Sequence, residues 1–207
     1  YQFCNLTEVV IRSTDTEQDL ERKIAIATIL GTLQATYTKF PYLRQVWQDN
    51  TDEERLLGVS LTGIMDNPLT TTANPELPAL LERLREVSVM VNKEWAGKLG
   101  IKQSTAITAV KPSGTVSQLV NSASGIHARH SEYYIRTVRG AFNDPLTQFM
   151  KDQGIPWEPC AHQPDTTVVF SFPQKSPKEA VLTENTTAIE QLDTWLAYQR
   201  HYCEHKP

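Results

Sequence analysis

The run Ala109-Val110-Lys111-Pro112-Ser113-Gly114-Thr115-Val116-Ser117-Gln118 passes from β-prone residues through a Pro-Ser-Gly-Thr turn into helix formers. The first turn of a helix leaves backbone N–H groups without intrahelical partners, and with the helix dipole these attract anions. Gly114 permits close approach of the backbone to a phosphate, Ser113, Thr115 and Ser117 carry hydroxyls, and Lys111 adds a positive charge beside the turn. The Gly-Lys-Ser/Thr ending of a Walker loop is absent. On these residues alone, a plain capped turn and a phosphate cradle both remain open. Cys4 offers a similar choice: it opens a buried-looking strand, either as a small core residue or as a redox thiol facing a cavity. His201, Cys203 and His205 catch the eye as metal ligands, but on a helix 201 and 205 share a face that 203 does not, so no metal is expected there. His127 and His130 read as solvated loop imidazoles.

These groups need elements to hold them. Val9 to Ile11 is β-branched and reads as a short buried strand. The polar run Ser13 to Glu17 then opens a helix, with Asp15 or Thr14 as N-cap. Leu20, Ile24, Ala27, Leu30 and Leu33 or Gln34 recur at helical spacing, Ile26, Ile29 and Leu33 broaden the stripe, and Pro41 ends it; so wide a stripe suits burial against a sheet. Thr51 to Arg55 caps an apolar segment running from Leu56 to Ile64. Pro75 to Leu99 is a long charged amphipathic helix stopped by Gly100, and Thr105 to Val110 is a β-prone run. Tyr133 to Val138 and Thr166 to Phe172 read as strands, Asp144-Pro145 opens a short helix, and Thr186 to His205 is a closing helix. Gly154 to Asp165, with Pro156, Pro159 and Pro164, is expected to be a surface loop. Strands alternating with helices predict an α/β fold.

Composition is that of an ordinary globular domain, with 40% hydrophobic and 21% charged residues. A net charge of -4 gives no electrostatic reason for nucleic-acid or membrane binding. Three widely spaced cysteines do not make a disulfide framework and suit a reducing cytoplasm. No stretch approaches the roughly 18 apolar residues that span a bilayer. Tyr1 runs at once into apolar sequence and a helical segment stops abruptly at Lys206-Pro207, so 1–207 is expected to be a single partial domain, truncated at both ends.

Phe3-Cys4-Asn5-Leu6-Thr7-Glu8 and Lys111-Pro112-Ser113-Gly114-Thr115-Val116-Ser117-Gln118-Leu119 resemble two landmarks of ribonucleotide reductase large chains. Ser124-Gly125-Ile126-His127-Ala128-Arg129-His130-Ser131-Glu132-Tyr133-Tyr134-Ile135-Arg136 is similar to the adenosylcobalamin-dependent, class II ribonucleoside-triphosphate reductases in particular. Lesser likenesses, Arg55 to Val59 leading to Thr62-Gly63 and Val169 to Pro173, keep the same order along the chain. The resemblance implies part of a ten-stranded α/β barrel, the portion after a central finger loop. It implies that Cys4 is one of two thiols that reduce the substrate and end as a disulfide, and that Pro112, Ser113, Gly114, Thr115 and Val116 hold substrate phosphates. The radical-bearing cysteine of the family would precede Tyr1.

The activity so implied is thiyl-radical reduction of ribonucleoside triphosphates to deoxyribonucleoside triphosphates. The cofactor of the intact enzyme would be adenosylcobalamin, and thioredoxin or a similar reductant would restore the dithiol. Upstream and downstream parts of the barrel are the expected partners, and the isolated chain is expected to be inactive. Rival readings are a class I diphosphate reductase fragment, a non-catalytic split-gene or remnant module, and a generic phosphate-binding α/β module.

Overall fold

Asn5–Val10 forms β1 and Leu57–Thr62 forms β2, paired in parallel with Asn5 opposite Leu57 and Val10 opposite Thr62. Parallel neighbours need a crossover, and the chain supplies it with helices α1 (Glu17–Gln34) and α2 (Gln45–Glu54). A second crossover, α3 (Leu77–Leu99), returns the chain as an extended segment along the other edge of β2. There Leu57 N–H donates to the Ala106 carbonyl at 3.0 Å, Val59 N–H to Ile107 at 2.8 Å, and Val59 bridges Thr108 in parallel. The chain then enters the Lys111–Gly114 turn and the short helix α4 (Thr115–Leu119). This computed structural model describes residues 1–205; the abrupt stop expected at Lys206-Pro207 lies outside them.

Every residue of β2 is buried, and its sequence alternates large apolar with small residues. Leu57, Val59 and Leu61 belong to the helix-covered core, which also holds Val9, Leu20, Ile24, Leu81 and Leu84. Gly58, Ser60 and Thr62 alternate with them and point to the opposite face. Ahead of α1, Thr16 rather than Asp15 or Thr14 is the cap: its hydroxyl accepts from Asp19 N–H while the Asp19 carboxylate accepts from Thr16 N–H. Asp15 is occupied instead by the N–H of Arg12 and the ammonium of Lys23. The stripe that α1 buries is also narrower than its apolar residues suggest. Leu20, Ile24 and Ala27 are inside, but burial continues through Thr28, Gly31 and Thr32, while Ile26, Leu30 and Leu33 stay exposed. Small residues win because Gly31 lies directly against Leu57. The threonines satisfy their hydroxyls on the carbonyls one turn earlier. The helix stops at Gln34, well before Pro41.

α3 ends at Gly100, whose positive φ of 66° makes the left-handed cap expected of glycine. Midway along it, the Asn92 amide donates to Thr32 and Ser104 hydroxyls, both at 3.0 Å, and accepts from Ser104 N–H, so this polar centre of the core satisfies itself. Helix α6 (Ala188–His201), opened by a Thr187–Glu190 capping box, and the C-cap residue after it contribute two fully buried tyrosines. Tyr198 donates to the Thr70 carbonyl at 2.7 Å and Tyr202 to that of Val59 at 2.9 Å.

The chain divides into two compact units: one joins Tyr1–Arg129 to the chain from Glu179 onward, and the other is His130–Lys178. The second unit is an antiparallel sheet of order β3-β5-β4, built from Tyr133–Ala141, Thr167–Lys175 and Trp157–Pro159, with α5 at Pro145–Asp152. Val168 and Phe170 form its buried centre. Strand β4 lies within the stretch expected to be a plain loop; Trp157 and Glu158 pair with β5 despite the prolines around them. The fold is thus mixed α/β. Among the described residues no helix is long and apolar enough to cross a membrane.

One ion pair fastens the end of the parallel sheet. Arg129 grips Asp66 through both carboxylate oxygens at 2.7 and 2.8 Å, with each side chain 3% exposed. Removing one member strands the other charge in the interior. Asp66→Ala should therefore lower unfolding stability by about 3–5 kcal/mol, read from urea denaturation; a loss below about 1 kcal/mol would show that water reaches the pair.

Candidate functional site

Cys4 immediately precedes β1, and its sulfur lies 3.3 Å from where a Cβ on Gly58 would sit; the Leu6 side chain would collide with that same atom. Cys4, Leu6 and Gly58 therefore share one face of the sheet, and by alternation Glu8, Ser60 and Thr62 share it too. Thr7 and Leu57, by contrast, approach Gly31 of α1 on the other face. Cys4 and Leu6 are exposed, so this second face is open at its start. Farther along it is closed by Lys111, whose Nζ lies 3.1 Å from Glu8 and whose backbone N–H donates to the Ser60 hydroxyl at 3.0 Å. From Cys4 to Glu8 the strand advances about 13 Å.

The turn that follows Lys111 is tied to the same face. Thr62 donates to the Ala123 carbonyl at 3.0 Å and accepts from Gly125 N–H at 2.8 Å. Ser124 in turn donates to the Ser113 carbonyl. Gly63, at φ 80°, lets the chain turn off β2 so closely that a Cβ would meet the Ile11 carbonyl oxygen at 2.5 Å. Asp66 accepts from Ala123 N–H as well as from Arg129, and Arg129 also donates to Asn121. The 121–129 segment is thereby folded back over the sheet end and supports the turn from behind.

Within the turn, the hydroxyls differ in their freedom. Ser117 is buried and donates to the Ser113 and Gly114 carbonyls, so it is not the outward donor that its type suggests. Ser113 is buried with its hydroxyl oxygen unpartnered among the described residues. Gly114, Thr115 and Val116 are exposed, and nothing stands within 4 Å of a Cβ position on Gly114. Lys111, next to the turn, is held by Glu8. A cavity of 170 Å³ adjoins Lys111 and Pro112, walled by Ile126, Trp195 and Tyr198.

The remaining polar candidates have local partners. His201 meets Glu82 at 2.7 Å, whereas His205 meets the Leu57 carbonyl at 2.6 Å, so the two imidazoles serve different neighbours. His127 is exposed, and in the second unit His130 sets its ring edge-on to Tyr134. Asp66 and Arg129, which sequence reasoning did not pair, carry the support of the whole turn. Their signal was an acid inside the apolar run before Asn67-Pro68, since a buried acid requires a partner.

Desolvation against the strand pushes the Cys4 thiol up from the ordinary cysteine range, so it is protonated at neutral pH. In a chain carrying Cys160→Ser and Cys203→Ser, alkylation of Cys4 by iodoacetamide should climb with pH and level off above the range of a free cysteine. A plateau at or below that range would show a sulfur in open water.

No protein-family model matches the chain. It is 28% identical over 208 residues to the adenosylcobalamin-dependent ribonucleoside-triphosphate reductase of Euglena gracilis, which covers 99% of this chain and 28% of that protein. The reductase of the same name from Lactobacillus gasseri is 31% identical over 172 residues, 70% of this chain and 23% of its own length. A crystal structure of a B12-dependent (class II) ribonucleotide reductase superposes with a TM-score of 0.81 over 99% of this chain and 32% of that one, at 23% identity. The chain thus spans about a quarter of the length of the curated relatives it matches. Along nearly its whole length it is homologous to one segment of the adenosylcobalamin-dependent ribonucleoside-triphosphate reductases, and it carries the fold of that segment.

Proposed function

We propose that this chain is part of the catalytic barrel of a class II ribonucleotide reductase, one that converts ribonucleoside triphosphates to their 2′-deoxy forms. The supporting observation is the shared sheet face: an open thiol stands at one end, and the Pro112–Val116 turn is tied to the other end through Thr62 and Lys111. An extended nucleotide laid along that face would bring its sugar toward Cys4 and its phosphates toward the turn. In this reading residues 1–207 are a portion of one larger domain, completed by the upstream and downstream segments that the relatives possess.

The roles follow from the chemistry at each end. Cys4 is a reducing thiol: protonated at rest, it gives up its hydrogen and, with a second cysteine supplied from outside this segment, ends in a disulfide. Thioredoxin or a similar dithiol would return both sulfurs to the reduced state by exchange. Pro112, Ser113, Gly114, Thr115 and Val116 receive the phosphates, with exposed backbone N–H groups and the Thr115 hydroxyl as donors. When bound, adenosylcobalamin supplies the radical that starts the reaction. Cys4 and Leu6 are exposed at that end of the face, which leaves the thiol for a neighbouring segment or the cofactor to shield from water. A cytoplasmic setting agrees with the need for a free thiol.

In a reductase completed with the missing segments, Cys4→Ser should hold substrate normally but fail to form deoxynucleotide over multiple turnovers. A large loss of nucleotide affinity in that variant would point to a packing role for the sulfur. Thr115→Val should weaken triphosphate binding by about 1–3 kcal/mol, the contribution of one charge-assisted hydrogen bond. An unchanged dissociation constant, measured by equilibrium binding, would return the turn to a plain cap.

A further inference from the structure

The cation nearest the turn is not available to it. Lys111 Nζ pairs with Glu8 Oε2 at 3.1 Å, and the two side chains are only 22% and 5% exposed. Its backbone is fixed as well, by the Ser60 hydroxyl. The acid partner is incompletely satisfied: Glu8 Oε1 is buried with no hydrogen-bond partner among the described residues. A carboxylate with one bare oxygen is only partly neutralised by a single ammonium, and burial lets its field reach farther than it would in water. Glu8 thus places negative charge on the very face along which an anionic substrate would lie.

Resting on the assignment of Pro112–Val116 to substrate phosphates, we propose that Glu8 is a positioning residue that sets affinity by withholding Lys111 from the polyphosphate. With the pair intact, the turn grips phosphate through neutral N–H and hydroxyl donors. The lysine aligns the turn from the side without closing on the ligand. A ribonucleoside triphosphate is then held by geometry more than by charge, which suits a site that must release a product bearing the same anionic tail.

The proposal makes a prediction of unusual sign: removing the acid should tighten anion binding. If Glu8 were only a strut, losing its ion pair would loosen the turn and weaken binding. The test is calorimetric titration of a reductase completed with the missing segments, using inorganic tripolyphosphate, which contains no sugar or base. Glu8→Gln is expected to lower the dissociation constant about tenfold at low salt, with the gain shrinking as salt rises. Adding Lys111→Met to that variant should abolish the gain. Weaker or unchanged binding by Glu8→Gln, while Thr115→Val still weakens it, overturns the role of Glu8 and leaves the phosphate turn standing. Tripolyphosphate binding that is absent, or indifferent to Thr115→Val, overturns the phosphate assignment itself and this inference with it. Should Glu8→Gln fail to fold, Glu8→Met carries the same test: it also removes the charge and should tighten binding, and weaker or unchanged affinity overturns the proposal.

Discussion

The bidentate contact between Asp66 and Arg129 is the constraint on which the candidate site depends. Two charges withdrawn from water are tolerated only when geometry and further hydrogen bonds compensate for lost hydration. Here the compensation is extensive: the carboxylate also accepts from Ala123, and the guanidinium also donates to Asn121. Each added bond fastens a different part of the 121–129 segment to the end of β2. The backbone of Arg129 joins in, donating to Val181 and accepting from Thr183, so the stretch leading into α6 is bound to the same point. Because the turn at Ser113 leans on Ser124, its position is inherited from this buried pair rather than from its own short helix.

Such an arrangement explains why a five-residue helix can be part of a precise site at all. α4 has no side-chain cap and too few residues for much intrinsic stability. Its placement comes from outside, through Thr62, Gly125 and Lys111. Rigid support beneath an exposed surface turn is what ligand positioning requires.

The elements that were legible in the sequence were those whose signals are local. α3 announced itself by length, an early proline and Gly100, and β3 and β5 by β-branched and aromatic runs. The turn at Pro112–Val116 stood out through residue types that serve either a cap or an anion. What the sequence hid was non-local. The burial of Thr28 and Thr32 in place of Leu30 and Leu33 depends on where Leu57 comes to rest, which α1 alone cannot specify. α2 lacks both a capping side chain and a clear apolar stripe, so tertiary contacts decide it. The N-cap at Thr16 went unnoticed because the neighbouring Asp15 and Thr14 are equally good capping types, and only the competing demands of Arg12 and Lys23 on Asp15 settle the matter. Likewise, Ser117 looked like an outward donor until its burial showed that the hydroxyl is used internally. The pairing of Asp66 with Arg129 spans 63 positions, a separation that no periodicity can bridge.

On the face of β2 away from the helices stand only glycine, serine and threonine, and the space they leave is taken up by other parts of the chain. Leu6 fills the hollow at Gly58, the backbone of Lys111 sits on Ser60, and that of Ala123 and Gly125 sits on Thr62. Small side chains here let separate segments close onto a single strand. One larger residue at position 58 or 60 would push Leu6 or Lys111 off the sheet.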